Sequence, residues 1–148
     1  MVTLRHFSET DAAFLRRTLH NDMTEEDFRD TIISWNTFEF QGRYFEMFAV
    51  VNDDKIVGMI SLYQHSESVA SIGPEIFPAF QQKGFGKEAM KLALETAKQK
   101  GYKIAAQQVR CNNTASIALH ESLSFETDHY EYINRNGNKV FLFYKALF

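Results

Sequence analysis

Apolar and polar positions along this chain follow two different periods, and the changes of period divide it into elements. Val2 to His6 alternates as a short strand. From Ser8 the spacing lengthens. Phe14, Leu15 and Leu19 fall on one side of a helix running to about Asn21, with Ser8 placed to cap it and Glu9 and Asp11 at the positive end of its dipole. Thr24 and Asp27 have the spacing of a variant capping box, and Phe28, Ile32 and Trp35 give a second helical face. Phe45 to Val51 and Ile56 to Tyr63 read as strands joined by the turn Asn52-Asp53-Asp54-Lys55. Val69 to Phe77 reads as a third. Gly73-Pro74 inside it predicts a bulge or a parting from a neighbour, because proline has no N–H for a ladder.

The clearest helical period runs from Gly86 to Lys100, with Met90, Ala93, Leu94 and Ala97 on one face and Gly101 as the stop. Tyr102 and Lys103 lead into a strand through Arg110, and a short helix covers about Thr114 to Leu123. Two last strands, near Thr127 to Ile133 and Lys139 to Leu147, flank the hairpin signal Asn136-Gly137. This order predicts an α/β (α+β) chain with a mixed sheet of six to seven strands and about four helices. An antiparallel meander gives way to a strand–helix–strand crossover, which makes its two strands parallel neighbours. Residues 1–148 carry no linker or repeat and read as one domain, long enough to bury a sizeable core.

Charge and composition narrow the function. A net charge of −3 supplies no positive field for nucleic acid. No apolar run approaches the roughly 18 residues of a membrane span, and the first residues are charged where a signal peptide is apolar. Cys111 is the one cysteine, so no internal disulfide and no multi-cysteine metal site can form. The five histidines have no zinc-motif spacing. The reading is a cytoplasmic protein with neither nucleic acid, membrane nor metal as partner.

Candidate chemistry begins at Phe80 to Met90, FQQKGFGKEAM, where Gly84 and Gly86 strip side chains from the mouth of a helix. The first N–H groups of a helix lack internal partners and lie at its positive end, so such a turn can hold a phosphate. Two glycines there are also what a plain tight turn needs. A Walker loop does not fit, since Lys87 is followed by Glu88 and no hydroxyl waits for magnesium. Nor does a dinucleotide fingerprint: Ala89 is tolerable as its third member, but the preceding strand contains proline. The stripe Lys83, Lys87, Lys91 is either a solvated face or a phosphate contact.

Gln81-Gln82-Lys83-Gly84-Phe85-Gly86 resembles the Gln/Arg-x-x-Gly-x-Gly/Ala signature of the GNAT superfamily of acetyl-CoA-dependent N-acyltransferases. Asn113, Ser116, Leu119, Glu121, Leu123 and Phe125 are similar to that family's second pattern, Asn-x-x-Ser-x-x-Leu-Tyr-Glu-x-Leu-Gly-Phe, in the usual order and separation. The resemblance implies the family fold with splayed strands, acetyl-CoA as acyl donor and an amine as acceptor. It implies backbone from about Gln82 to Lys87, with Gln81, around the CoA pyrophosphate. The strand end Ile76-Phe77 would pair with the pantetheine arm, and backbone near Ile76 would hold the thioester carbonyl. Asn113 and Ser116 would lie beside the arm. Family members are often homodimers.

The chain departs from the pattern in three places. His120 stands where the family's tyrosine donates a proton to the thiolate, so it is either that donor or a packed, hydrogen-bonded histidine. Gln108 resembles the position of a base glutamate in some relatives and cannot serve; Glu75, on the other splayed strand, is then a candidate base or a surface carboxylate. Ser124 replaces a glycine where positive φ is wanted. With His120 and Gln108 in these places, an acyl-CoA-binding module without turnover is the alternative. The acceptor region implied lies around Glu25, Glu26, Asp27 and Asp30, with Trp35, Phe38, Phe40 and Tyr44 as an apolar slot. Cys111 reads as a buried or semi-buried thiol.

Overall fold

The structure is a computed structural model and describes residues 1–19 and 22–148. Its strands are β1 Val2–His6, β2 Glu39–Phe40, β3 Arg43–Asn52, β4 Lys55–Gln64, β5 Val69–Ile76, β6 Ile104–Arg110, β7 Tyr132–Ile133 and β8 Lys139–Ala146. Its helices are α1 Ala12–Leu19, α2 Glu25–Trp35, α3 Phe85–Gln99 and α4 Thr114–Ser122. The strands form one sheet in the order β1-β3-β4-β5-β6-β8-β7, and β2 pairs with β3. The sheet thus has eight strands, one more than expected, because two residues of the chain after α2 turn back onto β3.

Local chemistry sets most boundaries. Thr24 and Asp27 form a reciprocal capping box at α2. A single 3₁₀ turn, Glu9–Asp11, precedes α1, and the expected helix end at Asn21 lies outside the described residues. Asp53 and Asp54, both at positive φ, make the β3–β4 hairpin turn. The strand expected from Thr127 shrinks to Tyr132–Ile133. Asp128 accepts hydrogen bonds from Tyr130 N–H and Tyr132 O–H, and His129 has φ 58°, so a side-chain turn replaces the ladder there.

Two apolar layers flank the sheet. On one face α3 and α4 close over Phe48, Val50, Ile60, Leu62, Ile72, Met90, Val109, Phe125 and Phe143. On the other, α1 and α2 cover Phe7, Leu15, Phe28, Ile32, Ala49, Met59 and Phe77. Neighbouring strands are antiparallel except β5 and β6, which run parallel and pair only at Val69–Ile104 and Ala70–Ala105. Beyond that point β5 stays on β4 as far as Gly58–Ile76, while β6 follows β8 as far as Arg110–Val140. The sheet therefore opens as a V in mid-width. Among the described residues no helix is long and apolar enough to cross a membrane, and no cluster of His, Cys, Asp and Glu could hold a metal ion.

Candidate active site at the splayed strands

The V is held open by sequence. Odd-numbered residues of β5 bond to β4: Val69 C=O accepts from His65 N–H at 2.9 Å, and Phe77 N–H, just past the strand, donates to Val57 C=O at 3.0 Å. Alternation turns the backbone of Ile72, Pro74 and Ile76 toward the gap. Ile72 N–H donates to the side chain of Gln107 on β6 at 2.9 Å. Pro74 has no N–H. Ile76 is left with the one free donor on this edge beyond Ile72. Gly58 permits the arrangement, since a Cβ there would stand 2.4 Å from Glu75 O and 2.9 Å from Ile76 Cα. An isolated glycine within a strand pattern marks such close backbone approach.

A cleft of about 550 Å³ opens between β5, α3 and α4. Ile76, Gln81, Gln82, Gly84, Phe85, Gly86, Lys87, Asn113 and Ser116 all line it, together with Pro74, Phe80, Ala115 and Leu119. The α3 ladder begins with Glu88 N–H on Gly84 C=O at 3.1 Å, which leaves Phe85, Gly86 and Lys87 N–H without helical partners at the positive end of a fifteen-residue helix. Gly84 caps it at φ 84°, and Gln82 also has positive φ, 63°. Gly86 needs no such freedom. A Cβ there would fill the cleft floor, 3.5 Å from Ile76 and 4.0 Å from Leu119. The bare backbone and unpartnered N–H groups fit a diphosphate, and the free edge at Ile76 fits an amide-bearing arm.

Some residues occupy other places. Gln81 donates its side-chain amide to Ile76 C=O at 2.9 Å and so anchors the loop to the strand. Asn113 caps α4 by accepting from Ser116 N–H at 3.0 Å. Lys83 is exposed and outside the cleft lining. Phe77 is buried under α1 against Phe14, and its N–H belongs to β4. Glu75 is exposed and points, like Phe77, to the α1–α2 side of the sheet.

His120 does not line the cleft. It is 3% exposed, on the α4 side of the sheet, against Phe125 and Phe143. Its Nδ1–H donates to Ser116 C=O at 2.7 Å, so Nε2 carries the lone pair and accepts from the amide of Gln107. Burial lowers its pKa, opposed by the bond to Ser116. The one sequence signal for Gln107 is a polar residue at an inward position between Ala105 and Val109. Gln108 points the other way and bonds Asn134. Cys111 is half-buried, and desolvation, with Glu131 nearby, raises its pKa.

On the α1–α2 side, Trp35 and Phe40 line a cavity of about 350 Å³ with Thr31, Ser34, Glu39 and Phe45. Phe38 instead packs at a tilt against the His6 ring, and Tyr44 turns to the opposite face to bond Glu46. Glu25, Glu26, Asp27 and Asp30 are exposed along α2.

The sequence model described as the acetyltransferase (GNAT) family matches residues 11–125. No curated protein matches the chain. Solved structures do. An acetyltransferase from Salmonella typhimurium that modifies the N-terminal serine of ribosomal protein L7/L12 shares 16% identity with a TM-score of 0.79, over 98% of this chain and 94% of that one. A ribosomal L7/L12 α-N-protein acetyltransferase in complex with coenzyme A has 17% identity and a TM-score of 0.81, over 98% and 93%. Spermidine N-acetyltransferase from Vibrio cholerae, in complex with CoA and spermine, has 17% and 0.80, over 99% and 95%. With its family model spanning most of the chain, the protein belongs to the GNAT family of acetyltransferases.

Proposed function

We propose that this protein transfers an acetyl group from acetyl-CoA directly to a primary amine. The observation that carries the reading is the continuity of one cleft, which runs from the three unpartnered N–H groups at the start of α3 to the free N–H of Ile76. The first would hold the pyrophosphate. The second would pair with the pantetheine arm as it leaves that turn. Acetyl-CoA supplies an activated acyl group: a C–N bond forms to the amine, the C–S bond breaks and the thiolate leaves.

The amine must be neutral to attack, so its proton needs an acceptor. Glu75 is the carboxylate on the edge strand of the gap, on the face opposite α3, and we assign it this role, directly or through water. His120 is a poor proton donor here, with both ring nitrogens engaged and its neutral form favoured. A thiol with a pKa of about 8.5 can leave as thiolate without it. Two relatives of this fold act on different amines, a protein N-terminus and spermidine. The acidic face of α2, with Glu39 at the aromatic cavity, favours a cationic acceptor approaching from that side. A cytoplasmic setting agrees with the lone thiol.

Thermal shift with CoA, acetyl-CoA and ATP tests the cofactor: both CoA forms should raise the Tm more than ATP. Gly86→Leu should abolish that shift by filling the cleft floor. Thiol release from acetyl-CoA is then measured over a panel of amines up to about pH 9, where a good share of a typical amine is deprotonated. The second reading, an acyl-CoA-binding module without turnover, is favoured by the neutral, fully engaged His120. It wins if CoA binds and no amine gives turnover.

A further inference from the structure

The gap between β5 and β6 holds a second cavity. About 460 Å³ in volume, it is lined by His65, Val69, Ser71, Ala106, Gln107, Gln108 and Leu142. The two cavities lie at successive positions of one strand but on opposite faces of the sheet, since Val69 and Ser71 face the α1–α2 side and Pro74 and Ile76 the α3 side. Pro74 and Ile76 border the CoA cleft, Val69 and Ser71 border the second, and Ile72 lies between them, bridged to Gln107. From Ile76 to Ile72 the edge measures about 13 Å at the usual rise of a strand. An arm laid along it from the α3 turn therefore has its reactive end facing Gln107.

Gln107 is held rigidly. Ser116 C=O sets the tautomer of His120, His120 Nε2 accepts one amide hydrogen of Gln107, and Gln107 Oε1 accepts from Ile72 N–H. Flipping the amide would break both of its bonds. Gln107 is 7% exposed, and no buried side-chain polar atom among the described residues lacks a partner. An amide of this kind serves as a wall of fixed position. Across the gap, on the α1–α2 face, lies the space bordered by Val69, Ser71, Ala106 and Leu142, with the polar His65 and Gln108 at its margin.

We infer that Gln107, positioned by His120, closes the acyl end of the CoA cleft and restricts the donor to a short acyl group. This rests on the CoA reading above. An acetyl methyl stops at the amide. A longer chain must displace it and break the bonds to Ile72 and His120. Shortening residue 107 joins the two cavities and gives the chain room.

The test is calorimetric binding of CoA and of acetyl-, propionyl-, butyryl- and hexanoyl-CoA, and it needs no acceptor. Wild type should bind butyryl-CoA at least about tenfold more weakly than acetyl-CoA, the scale of a misfitting methylene in a pocket. Gln107→Ala should bring that ratio to within about threefold and make hexanoyl-CoA binding measurable, on the same scale. Gln107→Asn keeps the amide one methylene further back and should admit propionyl but not hexanoyl. His120→Leu should relax selectivity while leaving the affinity for CoA itself unchanged, which distinguishes a positioning role from general loss of structure. Unchanged acyl selectivity in Gln107→Ala and Gln107→Asn, with CoA still bound, overturns the inference. Failure of wild type to bind any CoA form overturns the cofactor reading together with it.

Discussion

Two polar groups, each built on a buried side chain and each with a histidine, sit on the α3 face of the sheet, and they are built on opposite principles. At the V, Ser116, His120, Gln107 and Ile72 form a neutral chain in which each group is bonded to the next. Between β1, β3 and the end of α3, the group is ionic. Glu46, 6% exposed, accepts from Tyr44 O–H and from His6 Nε2–H at 2.5 Å, and Lys100 Nζ lies 3.4 Å away and 5.0 Å above the Tyr44 ring. Burial pushes the Glu46 carboxyl up, but the bonds from Tyr44 and His6 prevail and hold it below the usual carboxylate range. Burial and the same carboxylate raise the Tyr44 phenol. A buried charge demands several partners, some reaching water; a buried amide and a neutral imidazole need only each other and two backbone groups. The first arrangement binds three elements together. The second keeps two strands apart.

The sharpest break should come from Glu46→Ala. Breaking a buried ion pair costs about 3–5 kcal/mol, and because His6 and Lys100 are part-exposed and can rehydrate, we expect about 2–3 kcal/mol, read as a lower urea midpoint at unchanged m. His120→Leu should cost less, about 1–2 kcal/mol, because it leaves a single Gln107 N–H unpaired in the core. Acid separates the two groups. His120 is more easily protonated unfolded than folded, so its share of stability is full above the unfolded pKa of about 6.5 and declines as pH falls below it. Glu46 has a depressed folded pKa, so its share is present above about pH 4.3 and declines below that. Stability curves should therefore show His120→Leu flattening the slope just below pH 6.5, and Glu46→Gln flattening only the more acid region. A single shared window would undo the distinction. The smallest effect, a gain of a few tenths to about 1 kcal/mol, is expected for Ser124→Gly. The residue sits at φ 65° after the helix that carries His120, and glycine removes the left-handed penalty while touching neither polar group.

The ionic group is illegible in the sequence, because His6 and Lys100 lie far from the Tyr44–Glu46 pair and reach it only through the pairing of β1 with β3 and the return of α3. The strand and helix order was legible because periods of 2 and 3.6 are local properties, and the capping box and hairpin turns are local too. So was the glycine turn, whose N–H groups need no distant partner. The resemblance implies that the Ile76-Phe77 strand end pairs with the arm, but strand alternation turns the Phe77 backbone to β4; a one-residue shift reverses the face. Gln107 and Gln108 illustrate the same limit. Neighbours in sequence, they point to opposite sides, and only β6 pairing with β8 decides which enters the core.

Pro74 has a consequence for the protein before any ligand arrives. A strand whose partner has pulled away exposes a row of donors and acceptors on which another chain can add itself, the usual start of aggregation. Beyond Ala70 the β5 edge offers three positions. Ile72 is already occupied by Gln107, and Pro74 has nothing to donate, which leaves Ile76 as a lone N–H. One donor is enough to orient a small molecule and too few to zip up a foreign strand. The opening can therefore stay wide in an empty protein without making it sticky.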